Sequence, residues 1–521
     1  MVTTPAPFTL QKIVKWGFYM QDYQLQVDQI FSDNMILPFG KPFQISGLAT
    51  AGATVKTTIG TQVARAIVRK DGTWDCQFRP FTDYRTSFEV KIEVQNHQLK
   101  LENVRFGQVL LIAGQSNVGF RMSQDQNFTE AQTSIPTTPI TYYNVPQPAF
   151  VYEDGEVKEY QSRATHWHQV KKSNLGHVSA VGYYAAQEMA RQDPKMPVGI
   201  VCCTRDGASA GTWVSETSLR KDKLLAKRVV EPFLSHIEKI TDAGFKADIE
   251  RYHQTVKRHN RLMYNFMKSN PEVPIGEALN IVGQTPWPPP KTPDSYLRPG
   301  ALFNAMVRKI RHFRFSQLVW YQGETDADQP EIYDRLLQTL INDWRATLAD
   351  VSLPVYVVQL PKYADVNRHA WAKIRQQQLK VAQRLADTYL ISIADTGEYY
   401  NPHPTAKMAA GQRIGRILAG KDYQATPQLG WLSLEAEQTC FHFWYVKELH
   451  ATQPPLIEGY VQQKWQAVPA EIKGTDLRVH FPLGTTQARY GYSNVPTLTL
   501  FNEIGDPVSP FVVDLTTQEL I

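Results

Sequence analysis

The spacing of hydrophobic and polar residues changes character several times along the chain. Between residues 21 and 105 it alternates. Thr54-Val55-Lys56-Thr57-Thr58-Ile59 and Phe88-Glu89-Val90-Lys91-Ile92-Glu93-Val94 show it most clearly, with a turn at Asp71-Gly72 between them. Short alternating segments bounded by Gly, Pro and Asp predict the strands of a small β-sandwich. At Val109-Leu110-Leu111-Ile112-Ala113 the alternation gives way to a continuous apolar run, and similar runs recur at 198–203, 318–321, 355–360 and 389–393. Such runs suit strands buried on both faces of a parallel sheet. The intervening segments 180–191, 333–350 and 371–386 carry apolar residues at helical spacing, so the middle of the chain predicts a doubly wound α/β domain. Residues 217–300 interrupt that rhythm. Their first part, 219–267, is charged and helical, and their second, 271–299, is proline-rich and includes Pro286-Trp287-Pro288-Pro289-Pro290. This predicts a helical insertion with an ordered loop near the site. Beyond Lys421 the helical spacing stops, and Leu477-Arg478-Val479-His480-Phe481 and Thr497-Leu498-Thr499-Leu500-Phe501 predict a C-terminal β region. The expected units are 21–105, then 106–216 joined to 301–420, with 217–300 inserted and 421–521 at the end.

Composition adds limits to this reading. The chain has 521 residues, of which 42% are hydrophobic and 20% charged, as in a folded globular protein with sizeable cores. A net charge of +5, with the basic residues dispersed, argues against a nucleic-acid groove. The N-terminus lacks a basic segment followed by an apolar one, and no run of about 18 apolar residues exists. The expectation is a cytoplasmic protein with no membrane span. Cys76, Cys202, Cys203 and Cys440 form neither a disulfide framework nor a paired metal motif, so they are expected to be free thiols.

In open α/β sheets, sites form beyond the carboxyl ends of strands, so the residues after each apolar run are the candidates. The first run is followed by Gly114-Gln115-Ser116-Asn117. A serine at such a strand-to-helix turn can expose its hydroxyl beside backbone N–H groups, as a nucleophile needs, or can simply cap the helix. The second run is followed by Thr204-Arg205-Asp206-Gly207-Ala208-Ser209, a loop of small residues that can bring a backbone N–H to a ligand or merely turn. After the third run, in Gln322-Gly323-Glu324-Thr325-Asp326, Gln322 can donate to an oxyanion, and Glu324 or Asp326 can orient a histidine. Beyond the fifth run, His403 lies between Pro402 and Pro404, just before a helix expected over 405–418. Neutral histidine is the usual general base for a serine. Each feature has a plainer reading alone; their succession after parallel strands points to one site.

That order resembles the SGNH hydrolase superfamily, and more closely the sialate O-acetylesterase family and related carbohydrate acetylesterases. The matching segments are 31–37 (FSDNMIL), 114–117 (GQSN), 298–306 (RPGALFNAM), 320–325 (WYQGET), 371–378 (WAKIRQQQ) and 403–407 (HPTAK). They run in the family's order, with GQSN and WYQGE the most specific. The resemblance implies an SGNH-type flavodoxin-like α/β/α catalytic domain with an N-terminal β-sandwich region, a helical insertion and a C-terminal β region. It implies Ser116 as nucleophile, His403 as general base, and oxyanion donors from the backbone of Ser116 and Gly207 and the side chain of Gln322. It implies no metal and no cofactor. Family members often carry an aspartate three residues before the histidine, where this chain has Tyr400. The partner of His403 is therefore expected to be Glu324, with Asp326 next and Asp395 after it, or else a Ser–His dyad with only a backbone acceptor.

The function so implied is a serine esterase that removes O-acetyl groups from carbohydrates, O-acetylated sialic acids first, through an acetyl-enzyme intermediate. One alternative is an esterase for acetylated xylan or another glycan, with Trp213, Trp287 or Tyr363 stacking on sugar rings. A second, of another class, is a non-catalytic carbohydrate-binding protein. The expected partner is an acetylated sugar, with neither nucleic acid nor membrane; the sequence leaves the oligomeric state open.

Overall fold

The structure, a computed structural model, describes residues 25–521 except 148–149, 154–155, 160–165, 274, 284, 365–369, 421 and 436. The N-terminal leader reading, residues 21–24 and the boundary residue Lys421 lie outside the described residues.

The five apolar runs form five parallel strands: β1 (His97–Gly114), β2 (Val198–Thr204), β3 (Gln317–Tyr321), β4 (Val355–Gln359) and β5 (Thr388–Ser392). They stand in the order β2-β1-β3-β4-β5. This is the flavodoxin-like order, in which the chain leaves β1 first to one side and then to the other. Ile140–Asn144 extends the sheet in parallel beyond β2, and His168–Gln169 closes that edge antiparallel. Every residue of β2 and of β4 is buried, which explains why these strands read as unbroken apolar runs.

Helices α1 (Ala180–Gln192), α2 (Tyr333–Thr347), α3 (Ala370–Arg384) and α4 (Met408–Leu418) cover the sheet in two pairs, α1 with α4 and α2 with α3. The first pair meets backbone to backbone. A Cβ on Gly415 would lie 2.3 Å from the Ala185 carbonyl oxygen, so only glycine allows that crossing. The helix expected from residue 405 begins at Met408, because residues 401–407 form the histidine loop.

β1 is 18 residues long and serves two sheets. Its first half pairs antiparallel with Phe88–Val94 in the N-terminal sandwich, and its second half lies at the centre of the parallel sheet. The sandwich core is aromatic: Phe81 stacks on Phe106 of β1 at 4.2 Å and Phe43 on Phe78 at 5.2 Å. In the insertion, the helix Asp242–Ser269 buries only Phe245, so it is a largely solvated arm, with Ile275–Val282 packed beside it.

The C-terminal region is a seven-stranded antiparallel sheet. Thr497–Phe501 is expected as strand, yet the strand there is Leu500–Asn502. The N–H groups of Thr499 and Leu500 instead donate to the Tyr490 hydroxyl, both at 2.8 Å, which diverts them from a ladder. This region is fastened to the α/β domain by buried polar groups. The fully buried guanidinium of Arg375 in α3 donates to the carbonyls of Leu360, Pro361, Ser493 and Asn494. All four cysteines are free and buried. No helix among the described residues is long and apolar enough to cross a membrane.

Candidate active site

The carboxyl ends of β1, β2 and β3 lie side by side, and three of the expected segments start there. β1 ends at Gly114, whose φ of +140° and close approach to β3 both demand glycine: a Cβ there would sit 2.0 Å from the Tyr321 carbonyl oxygen. The chain then turns through Gln115 into the single helical turn Ser116–Gly119. Ser116 occupies the first helical position, so its N–H has no intrahelical acceptor.

His403 reaches this turn from across the sheet. Its Nε2 lies 2.7 Å from Ser116 Oγ, bringing together residues 287 apart in sequence. The loop that delivers it is braced from within. Asn401 Oδ1 accepts the His403 N–H at 3.0 Å, while Glu398 accepts from Asn401 Nδ2 at 3.1 Å and from the Thr405 N–H at 2.9 Å. Desolvation, aided by the nearby Lys407 ammonium, pushes the imidazole pKa down to about 4, so it is neutral and able to accept a proton at physiological pH.

Gly207 sits in the loop after β2 with φ +62°. Its N–H donates to no backbone carbonyl among the described residues. The indole of Trp287, from the proline-rich part of the insertion, covers it so closely that a Cβ on Gly207 would lie 2.1 Å from the ring. Trp287 remains 46% exposed and therefore forms a wall of the site open to solvent. Arg205 in the same loop lies over the Tyr296 ring at 4.2 Å.

The structure corrects the expected roles of four residues. Gln322 does not offer a free amide to an oxyanion. It is fully buried, and its Nε2 is engaged by Asp326 Oδ2 at 2.5 Å, Gln115 Oε1 at 3.1 Å and the Ala208 carbonyl at 3.2 Å. Its Oε1 accepts from the Tyr333 hydroxyl at 3.1 Å, which fixes the amide orientation. Gln322 therefore acts as the floor that joins the β1, β2 and β3 loops. Asp326 belongs to the same floor, accepting from the Ala210 N–H at 2.8 Å. Glu324 does not hold the imidazole: its Oε1 accepts from Asn117 Nδ2 at 2.7 Å, and its Oε2 is buried without a partner. Asp395 is tied bidentately to Arg413 at 2.6 and 2.8 Å. Among the described residues no carboxylate lies within ion-pair distance of His403. The physical reason is topological: the loop after β3 runs beneath the serine turn rather than behind the histidine.

Sequence reasoning singled out neither Asn117 nor Lys407. Both are buried, and Lys407 Nζ donates to Asn117 Oδ1 at 2.6 Å. The available signal was their place inside the GQSN and HPTAK segments, but buried polar side chains read like surface ones until the fold is known. Of the aromatics considered for sugar stacking, Trp213 is fully buried against Trp320 and Trp344, and Tyr363 packs on Trp371 at 5.1 Å. Only Trp287 stands at the site.

Comparison with known proteins agrees with this fold. Residues 289–423, which include the β3 loop and His403, match the family described as carbohydrate esterase, sialic acid-specific acetylesterase. The chain is 22% identical over 404 residues to the sialate O-acetylesterase of Mus musculus, spanning 71% of this chain and 68% of that protein. It is 22% identical over 505 residues to that of Rattus norvegicus, spanning 87% and 86%. Among solved structures, a carbohydrate acetylesterase from Xanthomonas citri superposes with a TM-score of 0.70 at 21% identity, covering 94% of this chain and 99% of that one.

Proposed function

We propose, from the premise that the chain belongs to the sialate O-acetylesterase family of carboxylic ester hydrolases, that it is a serine esterase for O-acetylated carbohydrates, with O-acetylated sialic acids as its first substrate class. The observation that carries this reading is the 2.7 Å contact between Ser116 Oγ and His403 Nε2, set beside the Gly207 N–H, which donates to no backbone carbonyl among the described residues.

In this mechanism Ser116 Oγ attacks the acetyl carbonyl carbon while its proton passes to His403 Nε2, which requires the tautomer with hydrogen on Nδ1. The carbonyl oxygen gains negative charge and is met by the N–H groups of Ser116 and Gly207. The C–O bond to the sugar then breaks, and the imidazolium returns its proton to the departing sugar oxygen. Water, deprotonated by the same imidazole, next attacks the acetyl-enzyme; acetate leaves and Ser116 is restored. The catalytic pair is a dyad, and the imidazolium is opposed by the oxyanion rather than by a carboxylate of its own. Trp287 borders the side on which the sugar sits.

Acetate release from a panel of O-acetylated sialic acid, acetylated xylan and simple acetylated sugars tests the reading. The expected result is turnover of the sialic ester above the others, lost in Ser116→Ala. Equal turnover in Ser116→Ala would overturn the nucleophile, and preference for xylan would overturn the substrate class.

A further inference from the structure

Ser116 and His403 come from opposite ends of the α/β domain, so something other than chain connectivity must fix their separation to within a few tenths of an ångström. Several contacts tie the histidine loop to the serine side, three of them through its backbone. The Gln126 N–H donates to the Thr405 carbonyl at 3.2 Å, and the Lys407 N–H donates to Asp125 Oδ2 at 2.9 Å. Both lie several residues from the reacting atoms. The third is different. Asn117, the residue after Ser116, donates from Nδ2 to the carbonyl of Pro402, the residue before His403, at 2.9 Å.

That single carboxamide is held on every side. Its second N–H donates to Glu324 Oε1 at 2.7 Å, and its Oδ1 accepts from Lys407 Nζ at 2.6 Å. An ammonium only donates, and the bonded carboxylate oxygen here accepts, so the amide cannot turn over without losing both partners. Asn117 is fully buried and Lys407 only 2% exposed, which strengthens these bonds and makes their loss costly. The Lys407 ammonium is further seated 4.8 Å from the centre of the Phe120 ring. Burial pushes the Lys407 pKa down and that of Glu324 up, each to about 7, as expected of two opposite charges taken out of water on either side of one neutral amide.

We infer that Asn117 is a positioning residue for the esterase reaction, clamped by Lys407 and Glu324 so that it locks the His403 loop onto the Ser116 turn. Glu324 acts through Asn117 and not on the imidazole. The inference rests on the proposed serine-esterase reading.

The two roles for Glu324 give opposite results on a conservative change. A carboxylate that orients and charges a catalytic histidine cannot be replaced by its amide without a loss of about 10⁴ in kcat. A carboxylate that only accepts from Asn117 can, because a glutamine carbonyl accepts the same bond. The experiment measures kcat and KM on p-nitrophenyl acetate, and the rate at which a fluorophosphonate labels Ser116, for Asn117→Ala, Lys407→Met, Glu324→Leu and Glu324→Gln. Thermal unfolding of each variant provides the folding control. The expected result is a fall of about 10²-fold in kcat and in labelling for the first three, as a misplacement near 1 Å produces, with KM within about threefold. Glu324→Gln loses less than about tenfold. Were Glu324→Gln to fall as far as His403→Ala, Glu324 would serve the imidazole directly and the inference would fail. Asn117→Ala within about twofold of the parent would also end it. If Asn117→Ala does not fold, the Lys407→Met and Glu324 arms decide alone. Failure of the esterase reading looks different, since then the parent does not hydrolyse the ester or Ser116→Ala still does.

Discussion

Among the serine–histidine contacts of the described residues, two are of almost equal length. In the α/β domain, Ser116 Oγ lies 2.7 Å from His403 Nε2. In the C-terminal sheet, Ser433 Oγ lies 2.8 Å from His442 Nε2, and His442 Nδ1 lies 3.0 Å from Asp476 Oδ1. By residue types alone the second is the more complete, since it has the carboxylate that the first lacks. The surroundings reverse the order. Trp431, His442 and Asp476 sit in register across three antiparallel strands, with Ser433 on the same ladder opposite Cys440 and the Trp431 ring stacked on the imidazole at 4.7 Å. Backbone N–H groups in such a sheet are directed to neighbouring strands. On the proposed esterase reading, Ser116 sits where a strand has ended and a helical turn has begun, so backbone N–H groups of that turn can meet the charge that develops. On that reading the pairs differ in the supply of oxyanion donors at the end of a parallel strand, and electrostatic stabilisation of that kind is often the largest contribution to catalysis.

The contrast between the two pairs can be tested directly. The largest effect is expected from Ser116→Ala and His403→Ala, each lowering acetyl-ester turnover by about 10⁴-fold or more, with Ser433→Ala retaining parental turnover in the same assay. A loss in Ser433→Ala comparable to that in Ser116→Ala would erase the distinction. Next, Gly207→Ala drives a Cβ into the Trp287 ring at a left-handed φ, so the loop must move its N–H; kcat is expected to fall by about 10²-fold. The double variant Gly207→Ala/Trp287→Ala should recover part of that, and equal activity of Gly207→Ala and parent would remove this N–H from the mechanism.

The pH dependence separates dyad from triad. Since the pKa of His403 is lowered to about 4, the imidazole stays neutral on acidification and kcat/KM should hold until the pH falls through about 4. An acid limb near 7 in the kcat/KM profile that persists in Glu324→Gln would instead indicate a carboxylate beside the ring, since the Glu324 carboxyl is itself pushed up to about 7. The same shift has a sign for stability. Between about 4 and the ordinary value of 6.5 the unfolded chain binds the proton and the folded one does not, so this group makes folding less favourable as pH falls through that window. The smallest effect is expected from Asp476→Asn, which weakens a partly buried bond to His442: about 1 kcal/mol by chemical denaturation, with no change in turnover.

The legible part of the fold was what local burial writes into a sequence. β1 to β5 are buried on both faces and so appear as apolar runs, and the residues just beyond β1 and β5 include the serine and the histidine that meet. The sandwich was legible through alternation, as in Thr54–Ile59. Thr499 misled because a buried tyrosine hydroxyl takes its N–H group, a contact no alternation reports. Glu324 and Gln322 misled for a related reason. A carboxylate and an amide at a strand end have the right chemistry for a triad and an oxyanion hole, but which way they face depends on Asn117, Asp326 and Tyr333, brought there by other strands.

Strand burial and turn chemistry are encoded within a few residues, so the parallel sheet, the order of its strand-end loops and the candidacy of Ser116 and His403 follow from the chain's own pattern. Contacts between distant segments are needed to close Glu324 and Lys407 on Asn117, to make Gln322 a buried floor and to lay Trp287 over Gly207. They also place the Ser433 contact, though it has its aspartate, on the face of a sheet. Those outcomes depend on the directions of hydrogen bonds between residues hundreds of positions apart, which spacing along a chain does not carry.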